Sequence, residues 1–375
     1  MKRQISQETI QIGITKTEKE KNEIYRLRYQ IYVEEMSWQV VSIDHSKKLL
    51  FDELDDWGIL LYAKVGEEII GTLRINIGTI TDFPLHKRHI LSLDRFQKFY
   101  KNNQPANFAY SSILMVTPPY RNSMASYLLL EKGYEIYCNH QVQFSFCVCG
   151  FHLLRFYEQL GTRRFGKNFI DPDYGILTPV VLLVDDIEYL RMLRSPFWRL
   201  ARKRKIINSE VRKWFYGQFT ETSDIINSQL VSEDELWIIL CNRLGNCPNQ
   251  AIPILNGLSI PEAKKFLHSS VIARCQKGDH IIKRSYVSHT LNILISGKIK
   301  PSNSNRIMPG QHLGAAGLYG QPRHREDIFA STNIEMLVFS RVSFPKFNHL
   351  YPTISQKVLQ NLSILTSNNL DALHF

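Results

Sequence analysis

No apolar run in this chain is long enough to cross a bilayer. The longest stretches, such as GILTPVVLLV at 175–184, fall well short of the roughly 18 residues a spanning helix needs. The amino-terminal MKRQISQETIQIG is basic but has no apolar h-region, so no signal peptide is expected. Cysteine is scarce: six among 375 residues make no disulfide framework, and reduced thiols in a cytosol are the simpler expectation. Internal repeats and low-complexity tracts are absent as well. What is present is the composition of a globular protein, 44% apolar and 22% charged, which excludes wholesale disorder. The length suffices for two domains, each with its own core.

Acids are outnumbered by bases, giving a net charge of +11, and the excess is concentrated. RMLRSPFWRLARKRK at 191–205 holds seven Arg or Lys and no acid. A nucleic-acid surface would spread such charge over a face with interleaved aromatics, so no nucleic-acid partner is expected. One basic stretch carrying Phe197, Trp198 and Leu200 fits a helix docking on an acidic partner or an anionic membrane surface. A solvated linker helix is the plain alternative.

Apolar spacing predicts a helix over 24–36, with Arg28 and Tyr32 four apart on one face. WGILLYAKV and EIIGTLRINIG flank Gly66-Glu67 as a hairpin. A helix is expected around 92–102, a strand at 110–116, then a helix to about Cys138. A strand at 142–149, a helix at 151–161 and a strand at 175–184 complete an alternation that argues for an α/β or α+β sandwich. Residues 200–255 read as mostly helical, including 232–244. Beyond them, short β-like runs are separated by the turns Gly278-Asp279, Ser296-Gly297 and Pro309-Gly310, an all-β barrel or sandwich pattern closed by a helix at 352–370.

VTPPYRNSMASYLLLEKGYE at 116–135 ends a strand, turns through Thr117-Pro118-Pro119 and enters a helix. Main-chain N–H groups at such a turn make a cradle for the phosphates of an activated acyl donor. Val116, Arg121, Asn122, Ser123 and Ala125 are the candidate donor-binding residues. Arg121 adds a charge-assisted contact to phosphate, and Asn122 or Ser123 caps the helix. A capped turn without a ligand explains these residues equally well on their own. Downstream, FHLLRFYEQLG places Tyr157 on a helix that stops at Gly161.

In this arrangement the chain resembles the GNAT acyltransferase superfamily, which has a proline-aromatic-Arg turn after its fourth strand and a later helix bearing a Tyr before a Leu-Gly stop. The resemblance implies that Tyr157 gives its proton to the departing thiolate. Arg28, Tyr32 and Trp38, the pair Asp52 and Asp55 in FDELDDW, and Arg74 in IIGTLRI are similar to the autoinducer (acyl-homoserine-lactone) synthase and N-acyl amino acid synthase branch. So is the tail GKNFIDPDYGILTPVVLLVDDIEYLRMLRSPF. These motifs span residues 24–200. They imply a catalytic set of Tyr157, Arg28, Asp52, Asp55 and Arg74, with Asp52 or Asp55 orienting an acceptor amine and Arg74 its carboxylate. They also imply an acyl or acceptor pocket of Tyr32, Trp38 and Tyr110, and strand N–H groups near Leu114–Val116 facing the oxyanion. A structural ion pair between Arg28 and Asp52, or cap roles for the acids, are the bland alternatives.

Departures from the pattern refine the expectation. Ser123 and Ala125 replace turn glycines, and a Cβ narrows the approach to a pyrophosphate. That favours the pantetheine arm of an acyl carrier protein (acyl-ACP) over free acyl-coenzyme A (acyl-CoA), and the basic segment suits an acidic carrier. Tyr110 and Ile113 stand where lactone synthases carry Glu and Arg, so lactone synthesis is not expected and the general base is unassigned. The expected reaction is attack of an amino acid's or similar small amine's nitrogen on the thioester carbonyl. Cys147 and Cys149, near Cys138, His140 and His152, lack the spacing of a zinc site, so buried thiols and no metal are expected.

Residues 255–365 resemble the cyclic-nucleotide-binding domain of bacterial regulators through Gly278-Asp279, Gly297, Pro309-Gly310 and the Gly314 to Arg325 segment. Gly314 and Leu318 fit that family's cassette, and Arg323 or Arg325 is the matching phosphate ligand. Ala315 stands in place of the Glu that accepts from the ribose hydroxyl, and Glu326 and Asp327 bring negative charge. A barrel kept for packing, dimerisation or another ligand is therefore favoured over cyclic-nucleotide sensing. The whole reads as a GNAT-like mixed-sheet domain (1–200), a helical linker (201–254) and a cyclic-nucleotide-binding-like all-β barrel with flanking helices (255–375). The expected activity is a cytoplasmic, bacterial N-acyltransferase, with peripheral membrane contact through 191–205 and a homodimer as further expectations. The rivals are a non-catalytic sensor or interaction protein and a cyclic-nucleotide-regulated protein-lysine acetyltransferase.

Overall fold

A computed structural model describes residues 9–36, 43–100, 106–121, 123–171, 174–204, 209–222, 224–302, 307–320 and 322–371. The chain forms two compact units and passes between them more than once. The first comprises Met1–Val148, Leu160–Gly166 and Pro179–Ser223; the second comprises Cys149–Gln159, Lys167–Thr178 and Asp224–Phe375.

The first unit is built on a mixed sheet. The strands of this sheet are β1 (Gln11–Ile14), β2 (Ile59–Val65), β3 (Glu68–Gly78), β4 (Phe108–Val116), β5 (Phe144–Gly150), β6 (Thr162–Arg164), β7 (Phe169–Asp171) and β8 (Gly175–Leu183), of which β7, the last two residues of β5 and the first residues of β8 are counted with the second unit. The order is β1-β2-β3-β4-β5-β8-β6, with β7 beside β8. β2 and β3 form the expected hairpin, turning at Gly66 with φ 57°, a conformation glycine adopts without a Cβ penalty. β3 is buried almost end to end, as a central strand must be.

Helix α1 (Glu18–Tyr29) begins earlier than the apolar spacing predicts, because Thr17 and Glu20 form a capping box. It passes at Gln30 into a six-residue π-helix ending at Glu35. The wider turn breaks the four-residue relation expected between Arg28 and Tyr32. The helix expected around 92–102 is a short one, Leu93–Gln97. Helix α2 (Ala125–Asn139) lies where the motif placed it. A dense aromatic core, including Phe96, Phe144, Phe146, Phe215 and Phe219, fills the unit. Phe96 alone meets Phe144, Phe146 and Phe219 with ring centroids 4.7–4.9 Å apart.

The basic segment is not the single helix expected. It breaks at Arg194, whose φ is 51°, and at Pro196, giving a helix over Ile187–Met192 and a short one over Trp198–Ala201. Phe197 stacks on Tyr134 at 4.9 Å in the core, and Arg204 pairs with Asp185. Arg191, Arg194, Arg199, Arg202 and Lys203 remain exposed.

The second unit holds two antiparallel sheets. One has the order β9 (Val271–Cys275), β15 (Ile334–Ser340), β11 (Thr290–Ser296), β13 (His312–Leu313); the other is β10 (His280–Ile282), β14 (Ile328–Ala330), β12 (Ile299–Pro301). Glycines 278, 297 and 310 all take positive φ at the expected turns. The expected barrel-like domain is seen among the described residues as a pair of antiparallel sheets. Helices α3 (Glu233–Leu244) and α4 (Ile260–His268) each start with a Ser–Glu capping box. Phe266 of α4 stacks on Phe339 at 4.4 Å, and helix α5 (Pro352–Asp371) adds Ile354, Val358 and Leu362 to this core.

Candidate active site

Strand β4 carries an irregularity that its sequence hides. Arg74 pairs with Ser112 but Thr72 pairs with Met115, so two residues of β4 face one of β3. Ile113, at the bulge, has φ 54°, a left-handed conformation that a β-branched side chain adopts only under strain. On its other side β4 pairs in parallel with β5 only from Phe108 to Tyr110. Among the described residues, main-chain groups from Ser111 to Val116 have no ladder partner on that edge. The sheet thus opens at its middle beside a kinked strand.

The sequence-predicted charges converge next to this opening. Arg28 is fully buried, and its Nη1 meets both oxygens of Asp55 at 2.8 Å. Arg74 meets Asp52 at 2.5 and 3.0 Å and Asp55 at 2.9 Å, while its Nε donates to Ser112 Oγ at 3.1 Å. The bland pairing of Arg28 with Asp52 is thus corrected: Asp55 lies between the two guanidiniums and Asp52 belongs to Arg74. Two cations and two anions balance. Burial would raise the Asp52 carboxyl, but the Arg74 guanidinium outweighs it and holds Asp52 below the usual carboxylate range. Burial lowers Arg28 despite Asp55, whereas the two carboxylates outweigh burial at Arg74 and raise it. Asp52, with its side chain 41% exposed, is the member of the four that reaches solvent. Arg74, expected to take an acceptor carboxylate, is already saturated by two.

Tyr32 packs with Ile113 on a small cluster of Leu27, Ile31 and Met115, which brings the first helix to the bulge. Tyr110 instead lies in the aromatic core, with Lys87 over its ring at 5.4 Å. Trp38 and Asn122 fall outside the described residues. At the donor turn, Pro118–Tyr120 form a single 3-10 turn, and α2 opens at Ala125 with Met124 in the cap position. Ser123 stands one residue before the cap position, and its Oγ accepts from the Ala125 N–H at 3.2 Å. Arg121 Nε donates to the Val116 carbonyl at 3.1 Å, and its two Nη atoms grip Glu35 at 2.5 and 2.6 Å.

Residues 23–185 match the family model described as N-acyl amino acid synthase FeeM. The match spans less than half of the chain. Residues 23–185 therefore carry an N-acyltransferase domain, as the motifs implied. No curated protein matches the chain. Among solved structures, the chain is similar to FeeM, an N-acyl amino acid synthase from uncultured soil microbes, at 13% identity over 52% of this chain and 98% of that one, with a TM-score of 0.41. It is similar to the AHL synthase LasI at 16% identity, over 47% and 89%, with a TM-score of 0.36. The N-terminal domain of a transcriptional regulator from Streptomyces coelicolor matches at 15% identity, over 32% and 91%, with a TM-score of 0.29.

Tyr157 of the FeeM-type motif set lies on the helix Leu154–Leu160, in the second unit, half-buried with its ring 5.4 Å from that of Phe156. Sequence reasoning missed Ser112, the Ile113 bulge and Glu35. It also missed the contact between Tyr137 and Ser111, where the sheet begins to open. Burial raises the Tyr137 phenol. Cys147 and Cys149 are buried, and burial pushes the Cys147 thiol up to about 12, so it stays protonated and inert.

In the second unit, Gly314 takes φ 60° and Leu318 is buried, while Arg323 and Arg325 are exposed. Arg323 donates to the Ser285 carbonyl at 2.7 Å. His324 is buried beside this segment, and its Nδ1 accepts the Ala315 N–H at 3.1 Å. Asp327 pairs with His280 at 2.8 Å. No helix among the described residues is long and apolar enough to cross a membrane.

Proposed function

We propose that the first unit moves an acyl chain from an acyl-ACP thioester to the amine of an amino acid or similar small amine. The observation that carries this reading is the strained bulge at Ile113 on a strand edge that has lost its partner. A pantetheine arm is a chain of secondary amides, and an unpaired strand edge offers the complementary donors and acceptors. N–H groups splayed by a bulge are fixed dipoles that a developing oxyanion can meet without reorganisation.

In this reading the amine attacks the carbonyl carbon, the oxyanion faces the Ile113–Val116 main chain, and the carbon–sulfur bond breaks. The amine gives up one proton and the thiolate takes one; the family resemblance implies Tyr157 as that donor. Asp52 accepts a hydrogen bond from the acceptor's neutral amine, since it is the solvent-reaching end of a charge network that is otherwise closed. Arg28, Asp55 and Arg74 are positioning residues that hold it there. Arg121, with Val116, Ser123 and Ala125, borders the phosphate end of the arm, and Tyr32 borders the acyl or acceptor side.

The second unit acts as a structural or regulatory partner in this proposal rather than a cyclic-nucleotide sensor, supported by His324 occupying the Ala315 N–H. Micromolar calorimetric binding of cAMP or cGMP would refute that part. The main test is expression in a bacterial host with mass spectrometry of lipid extracts. New N-acyl products are expected from the wild type and should be lost with Tyr157→Phe and reduced with Arg121→Ala. A wild type that adds no acylated amine would sink the assignment of donor and acceptor.

A further inference from the structure

The residue that holds Arg121 has no part in the chemistry above, yet it controls the charge at the donor turn. Glu35 closes the π-helical segment, and both of its oxygens bind the Arg121 guanidinium, at 2.5 and 2.6 Å. The Nε of Arg121 is meanwhile tied to the last carbonyl of β4. The fork that would clasp a phosphate is thereby filled by a carboxylate of the chain itself. The π-helix is what brings Glu35 there: with i→i+5 bonding it lags an α-helical continuation by one position, which is about 100° of rotation. Both side chains keep over a third of their surface exposed, so the pair is open to competition from solvent and ligand.

Resting on the acyl-transfer reading, we propose that Glu35 is a specificity-determining residue that selects the donor by charge. Free coenzyme A brings a pyrophosphate and a ribose phosphate to this turn. A carrier-borne arm brings one phosphodiester. Arg121 already neutralised by Glu35 offers no net positive charge to attract the former, and the carboxylate repels it. The single phosphodiester is repelled least. Glu35 thus tilts the site from free acyl-CoA toward acyl-ACP, independently of the narrowing by Ser123 and Ala125.

The test is calorimetry on the full chain with three probes: coenzyme A, 4′-phosphopantetheine and uncharged pantetheine. Glu35→Gln should tighten coenzyme A about tenfold, a gain discounted for the pair's exposure, and tighten phosphopantetheine less. Pantetheine should shift by less than about twofold, which a merely structural role for Glu35 would not produce. In an Arg121→Gln background the gain from Glu35→Gln should be smaller, because only the carboxylate's repulsion and no freed guanidinium then contributes. Thermal melting of each variant controls for folding. Unchanged or weaker coenzyme A binding, or equal shifts for all three probes, overturns the role of Glu35 while leaving the donor site intact. Failure of every probe to bind the wild type and the folded variants overturns the donor site and Glu35 with it.

Discussion

Arg28 has no access to water, so its energetics depend on its partners. Its Nε and Nη2 are buried without a hydrogen-bond partner among the described residues, and only Nη1 is used, on Asp55. Removing one member of a buried charge pair strands the other and costs about 3–5 kcal/mol, more than losing the pair's attraction alone. Asp55→Asn should therefore lower the urea midpoint strongly, because it strands Arg28 and removes a support of Arg74 together. Arg28→Met should cost less, since Asp55 keeps Arg74. The double variant should fall short of the sum of the singles by about 1 kcal/mol or more. Additivity within about 0.5 kcal/mol would show that the four charges do not act as one network. The half-exposed Arg121–Glu35 pair contrasts with this: its contribution to stability is about 0–1 kcal/mol, which frees it to serve selection rather than folding.

The bulge is the element on which the acyl-transfer reading turns. Deleting Ile113 would restore one-to-one pairing of β3 with β4 and remove a left-handed isoleucine, without reversing the faces of the residues on either side. Stability should hold or rise, because strain of about 1–3 kcal/mol is released against the packing of one half-buried side chain. Transfer should fall by about 10²–10³, the usual loss when an oxyanion donor is misplaced. Melting curves and product formation from acyl-ACP check both halves of that expectation. Retained turnover in a well-folded deletion variant would move the oxyanion site elsewhere. None of this was legible beforehand, since YSSILMV alternates like any strand and nothing in it marks an isoleucine at positive φ. The same holds for Gln30–Glu35, whose residues suit an α-helix, and for Glu35 and Arg121, which lie 86 positions apart in the chain. What alternation and turn chemistry do reveal is the frame: the Gly66 hairpin, α2, α3 and α5 lie close to where apolar spacing sets them. The basic segment failed as a helix for a physical reason also present in its letters, the Pro196 that ends the preceding helical turn.

At the scale of the whole molecule, the second unit carries a chemistry the sequence did not suggest. His152, His289 and His324 are clustered in it, with the first two rings 5.3 Å apart and Arg341 close to both. Burial pushes His152 down to about 3, and His289 and His324 each to about 4; His289 adds repulsion at His152 and His324, and Arg341 at His152 and His289. Among the described residues, the groups shown to act on the cluster are one permanent cation, the rings themselves, and main-chain partners such as the Ala315 N–H on His324. A histidine depressed in the folded state binds fewer protons there than in the unfolded chain, so stability rises with pH across the gap. The contribution is complete above about pH 6.5, the ordinary histidine value, and is lost progressively as pH falls toward 4 and then 3. Hydrogen exchange followed peptide by peptide should show β11 and β15 losing protection between pH 6.5 and 4.5 while β3 changes little. His289→Gln should flatten that slope, because it removes one of the three sites and the repulsion felt by the other two. Equal pH slopes in β3 and β11, or a slope untouched by His289→Gln, would mean that the histidines do not limit the second unit. One ring of the cluster also supports the proposal that this unit is not a cyclic-nucleotide sensor. His324 is buried and its Nδ1 accepts from the cassette's Ala315 N–H, so a ligand reaching that N–H would have to displace the ring.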